Sequence, residues 1–190
     1  MMISICCLNK LKKEKIVTQP DELYLYGLNN LFTILINIIT LFVIAILINK
    51  LFTLIIFLIS FIPLRSYSGG FHCSSIICCY FVSNIIIFAI LLLQPFILTH
   101  LIFLTISAIL SCLYIFHIKP YSNKIRCLNL TEVTKFNKSK NVALIFVILF
   151  AFFSFFVIQK YLIYSTILCA INLVGILLLI DKFMLLKVLP

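Results

Sequence analysis

The sequence predicts an all-α integral membrane protein: about six transmembrane helices, short loops, and cytoplasmic N- and C-termini. Three observations predict it. First, the chain is 64% hydrophobic and only 11% charged, with a mean hydropathy of +1.27. Soluble domains run at about half apolar and about a quarter charged, and a soluble fold of 190 residues has too little interior to hide so much hydrocarbon. Second, the apolar residues come in unbroken blocks, without the polar alternation of a membrane barrel. Third, the basic residues fall almost wholly on one side once six crossings are drawn. That asymmetry also accounts for the net charge of +10, so no nucleic-acid partner is needed to explain it.

The elements follow in order along a single polytopic domain, residues 1–190. Residues 1–27 are mixed and basic, with Lys10, Lys12, Lys13 and Lys15 around Glu14. They read as a short amphipathic segment on the inner membrane surface. The opening "MMISICCLNK" lacks the basic start of a cleavable signal. Residues 28–48 are long enough to span, since about 20 residues cross a bilayer core. Residues 51–64 are apolar but shorter, which by length alone suggests a re-entrant, tilted or thin-spot segment. Residues 76–93 form the next block and end at Gln94-Pro95; residues 96–118 form another. A polar, basic loop is expected over 119–141. Residues 142–158 and 161–180 make a closing hairpin, and the tail carries Asp181, Lys182 and Lys187.

Counting cations orients these segments. With the N-terminus inside and six crossings, the inner side holds Lys10, Lys12, Lys13, Lys15, Arg65, Lys119, Lys124, Arg126, Lys135, Lys138, Lys140, Lys182 and Lys187. The outer side holds Lys50 and Lys160. Thirteen against two is a strong positive-inside bias. A re-entrant second segment would invert every later loop and spoil the count, so six crossings are favoured. The eight cysteines (Cys6, Cys7, Cys73, Cys78, Cys79, Cys112, Cys127 and Cys169) then sit in membrane or cytoplasmic positions and are expected to be reduced. No pair of CxxC motifs suggests a structural metal, and no cofactor is called for.

One stretch does not fit a plain membrane hairpin. Residues 65–80 read "RSYSGGFHCSSIICCY", gathering an arginine, two glycines, a histidine and three cysteines between two hydrocarbon blocks. Gly69-Gly70 permit positive φ and close backbone approach, or a simple turn. His72 has cysteines close by in sequence. His100 and His117, near the ends of expected spans, do not have a comparable cluster. Cys78 and Cys79 are both candidate nucleophiles, although cysteine is often only a small buried hydrophobe. Ser74 or Ser75 suits the N-cap of the following helix. The cysteines would then lie about one turn in, where the helix dipole favours thiolate. His72 and Cys79 share a face on a continuous helix but sit roughly 10 Å apart in height. They can cooperate only if the chain is not helical at His72.

The pattern Arg65-x4-Gly69-Gly70-x-His72-x6-Cys79 resembles the signature of the accessory gene regulator B family, the membrane cysteine endopeptidases of quorum sensing. Two flanking stretches are similar too. "DELYLYGLNN" supplies Glu22, Tyr26, Gly27 and Leu28, resembling the family's entry into its first span. "KPYSNKIRCLNLTEVTKFNKSK" supplies Pro120, Asn123 and Lys124 ahead of a lysine-rich run. By position the resemblance implies Cys79 as nucleophile and His72 as base, with Arg65 and Gly70 at further motif positions. Cys78 is the alternative nucleophile if the register shifts by one. The implied substrate is an AgrD-type propeptide. Its C-terminal tail would leave through an acyl-enzyme thioester, and the peptide's own cysteine or serine would then close a thiolactone or lactone ring. Gly69 and Gly70 amides are oxyanion candidates beside Ser75, and Arg65 suits an acidic peptide. Glu22 and Glu132 are the candidate orienters of His72, and a backbone carbonyl serves equally well.

Other classes remain. A small transporter or channel for a peptide or ion would carry paired ionisable groups inside its spans. These spans instead show Asn37, Asn84 and Asn172 and no buried acid. A non-catalytic scaffold would use residues 65–80 only as a hinge. Membrane-buried asparagines and the family resemblance point to a homodimer.

Overall fold

The computed structural model describes residues 21–69, 76–118 and 130–188. Among them the chain is helical, in six elements: α1 (Asp21–Leu47), α2 (Leu51–Ser68), α3 (Ile76–Thr99), α4 (Leu101–His117), α5 (Leu130–Phe156) and α6 (Tyr161–Val188). Five contain stretches long and apolar enough to cross a bilayer: Gly27–Leu47, Leu51–Ser68, Ile77–Thr99, Thr131–Phe156 and Tyr161–Met184. The sixth, α4, is apolar but only 17 residues long, a rise of about 25 Å. With no water in a bilayer core, backbone N–H and C=O groups must pair within the chain, which a helix does.

The short second segment is a full helix of 18 residues that runs through Pro63 and Arg65 to Ser68. The next boundary also differs from the sequence reading. Gln94-Pro95 does not end α3, which continues to Thr99; the corner comes at His100. Proline removes one backbone donor, and membrane helices tolerate that where neighbours repair it. Gln94, fully buried one residue earlier, anchors this region to α6. Its amide donates to Ser165 Oγ at 2.8 Å and Thr166 Oγ1 at 3.0 Å. Helix α5 starts at Leu130, so the second half of the expected 119–141 loop is already its first turns.

Two tight turns close the hairpins. After α1, Asn49 has φ +54°, and Lys50 N–H reaches back to Ala45 O at 2.8 Å while Asn49 N–H bonds Ile46 O. This is a Schellman ending built on asparagine rather than glycine. Gln159 repeats the positive φ between α5 and α6.

Helix α6 is the axis of the bundle, packing against α2, α3, α4 and α5. On one side of it Leu64, Ile115, Leu144, Val147, Ile167 and Val174 form a buried cluster from α2, α4, α5 and α6. On the other, Leu41, Leu54, Phe57, Leu91 and Ala170 join α1, α2, α3 and α6. Large side chains such as Ile102 (76% exposed) and Phe103 (74%) point outward, as lipid contact requires. Lipid is as apolar as leucine, so helix association rests on close packing and polar ties. Gly175 provides the packing: a Cβ there would lie 2.7 Å from Ser111 Oγ and 2.8 Å from Ser111 Cβ. Asn172 adds the tie, accepting from Ser111 Oγ at 2.9 Å and donating to Ser107 Oγ at 3.0 Å. Asn84 donates to Asn37 Oδ1 at 2.7 Å, and the Thr40 and Tyr80 hydroxyls meet at 2.8 Å, joining α1 to α3. Lys140 is fully buried, and its ammonium donates to the Phe116 and Ile118 carbonyls. These are carbonyls that the end of α4 leaves without helical partners.

Candidate functional site

Helix α2 ends at Ser68 because Gly69 turns out of it with φ +72° and ψ −144°. That region is open essentially to glycine alone. Nothing lies within 4 Å of where a Gly69 side chain would begin, so the glycine serves the backbone conformation and not a tight packing. Arg65, in the last turn of α2, folds along the helix and donates from Nη1 to the Gly69 carbonyl. A cation at a helix C-terminus satisfies an orphan carbonyl and meets the negative end of the dipole. The chain re-enters the bundle as α3, whose fourth residue is Cys79.

These residues meet in one cavity of about 480 Å³ between α1, α2, α3 and α6. Arg65, Ser66, Gly69 and Cys79 line one part of it. Its walls are apolar, with Ile38, Leu41, Leu58, Phe61, Ile87, Leu173 and Leu177, and Thr33, Asn37 and Ser83 add polar points. Cys79 is partly buried and Arg65 lies within electrostatic reach of it. Cys78, one residue earlier, is exposed and does not line the cavity. Ser83 Oγ donates to the Cys79 carbonyl at 2.7 Å, a local bond one helical turn on. A second cavity, about 560 Å³ between α4, α5 and α6, is almost wholly hydrocarbon and includes Cys112 but no charged residue. Of these two cavities, the first brings together a thiol, a cation and a positive-φ glycine turn, and the second does not.

Of the residues singled out from sequence, the structure therefore brings Arg65, Gly69 and Cys79 together. Gly70, His72 and Ser75, with Cys73 and Ser74, lie outside the described residues, as does the Glu22 side chain. A single helix running from Arg65 to Cys79 does not occur, since α2 stops at Ser68. Glu132 lies in the first turn of α5 and does not line this cavity. Cys79, Cys112 and Cys169 carry thiols.

One residue was missed. The sequence pattern puts Asp181 in a polar tail and leaves the spans free of acid, yet it lies inside α6, partly buried, within electrostatic reach of Arg65. A signal was present: Leu173, Leu177 and Asp181 follow one another at four-residue steps, one stripe of a helix. The first two line the cavity.

No curated protein and no solved structure matches the chain. A family model described as Accessory gene regulator B matches residues 4–183, nearly the whole sequence. The chain belongs to the accessory gene regulator B family, which gives it a role in quorum-sensing peptide processing.

Proposed function

We propose that the protein is a multi-pass cell-membrane cysteine endopeptidase. It removes the C-terminal tail of an AgrD-type propeptide and passes the remaining acyl group to a nucleophile within the same peptide. The observation that carries this reading is the shared cavity, which holds Cys79, Arg65 and Gly69 and not the neighbouring Cys78. His72 acts as base and takes the Cys79 thiol proton as sulfur attacks the scissile carbonyl. The tetrahedral oxyanion forms beside Arg65 and the Gly69-Gly70 backbone, a source of positive charge and N–H donors. The C–N bond then breaks, the leaving amine takes the proton from His72, and the tail departs. The acyl group remains on Cys79 as a thioester. A cysteine or serine of the peptide attacks that thioester, the Cys79 thiol is restored, and a thiolactone or lactone is released. With a cysteine one thioester replaces another, so ring closure is close to thermoneutral. The apolar cavity walls favour the internal nucleophile by excluding water and holding the peptide's ends near each other.

The site belongs on the cytoplasmic face, where the positive-inside count puts Arg65. The test is co-expression with the candidate propeptide, following tail release by mass. Cys79→Ala and His72→Ala should each abolish release while the protein still inserts, and Cys78→Ala should retain it. Release that survives Cys79→Ala but disappears in Cys78→Ala would overturn the assignment of the nucleophile.

A further inference from the structure

The acid on α6 has no place in the reaction just described, yet its position ties it to the same cavity. Leu173 and Leu177 both line the space that Arg65 and Cys79 share. Asp181 is the next step of that stripe, about 6 Å further along the axis and on nearly the same face. It is partly buried, as is Arg65, and the two interact electrostatically. Arg65 in turn donates to the carbonyl of Gly69, the residue at which the chain leaves α2 toward His72. An arginine side chain has several conformers of similar energy, and a guanidinium that must sit at one point needs more than one anchor. Here one anchor is the Gly69 carbonyl at the end of its own helix, and an acid within electrostatic reach lies on α6, 116 positions later in the chain. A charge at this depth also needs an opposite charge close by, because desolvating a lone ion is costly.

We propose that Asp181 is a positioning residue: from α6 it holds the Arg65 guanidinium against the Gly69 carbonyl, and so fixes the mouth of the cavity beside Cys79. The proposal rests on the endopeptidase reading and adds a residue that acts through Arg65 without touching substrate. Its consequence is a split in kinetics. With Asp181→Asn the substrate still enters the cavity, but the cation and the turn after α2 lose their fixed placement. Turnover falls by about tenfold or more, as small misplacements at a reacting centre do, while KM stays within about threefold. Asp181→Glu keeps the charge on the same face and restores most of the turnover.

The experiment uses the full chain, purified in detergent and returned to vesicles, with rates expressed per mole of monodisperse protein so that loss of folded material does not count. Wild type, Cys79→Ala, Asp181→Asn and Asp181→Glu are compared on the propeptide. Tail release that depends on Cys79, with low turnover in Asp181→Asn and recovery in Asp181→Glu, supports the proposal. Wild-type turnover per mole in Asp181→Asn overturns it and leaves the endopeptidase reading intact. Equal loss in Asp181→Asn and Asp181→Glu, together with a raised KM, also overturns it, since that marks a substrate contact. Absence of Cys79-dependent release in the wild type overturns both.

Discussion

Gly69 carries a specific burden. Its φ of +72° with ψ of −144° lies where a side chain is strained, and nothing nearby would collide with a Cβ. The cost of Gly69→Ala is therefore all backbone, about 1–3 kcal/mol. We expect a lower unfolding temperature in detergent and slower tail release, because the same turn leads from Arg65 toward His72. An unchanged unfolding temperature and unchanged release would show that the turn relaxes freely. The cysteine pair makes the complementary point. Sequence spacing leaves Cys78 and Cys79 open as nucleophiles; burial separates them, with Cys79 on the cavity and Cys78 exposed. Adjacent residues on a helix point about 100° apart, so one register step decides which thiol meets the cavity.

Helix packing yields a second prediction. Gly175 lets α6 approach α4 until Ser111 occupies the place of its missing side chain. Gly175→Ala must push the helices apart or displace Ser111, and overpacking of this kind costs about 1–3 kcal/mol. Thermal unfolding in detergent should register the loss, and Ser111→Gly in the same chain should recover part of it. No recovery would mean that the contact is not the cause. At this scale the sequence was largely legible, because unbroken apolar blocks have few alternatives in a membrane. Helix limits were less so. Pro63 and Pro95 lie inside helices, since breaking a helix in lipid would strand more backbone groups than proline itself removes. Residues Leu130 to Asn141 are polar enough to pass for loop, yet Lys140 packs fully buried on the end of α4. Asp181 was hidden for a different reason: its relation to Arg65 exists only once α6 is packed against α2.

Taken whole, the molecule is a bundle around α6 with Lys50 and Lys160 at its two tight hairpin turns. The cation count predicts that both turns face outward and that the α2–α3 connection and both termini face the cytoplasm. Single cysteines placed at Lys50 and Lys160, in a chain lacking its other cysteines, should react with an impermeant maleimide on intact cells. A cysteine at Ser66 should react only after permeabilisation; labelling of Ser66→Cys on intact cells would invert the topology. The central claim is that this cavity forms a covalent bond to its peptide through one thiol. The most direct test is to quench the propeptide reaction in acid and locate the acyl adduct by mass spectrometry of the digested enzyme. The account predicts the peptide's N-terminal portion bound to Cys79 as a hydroxylamine-sensitive thioester, present in Cys78→Ala and absent in Cys79→Ala. An adduct on Cys78, or continued cleavage with Cys79 absent, would contradict it.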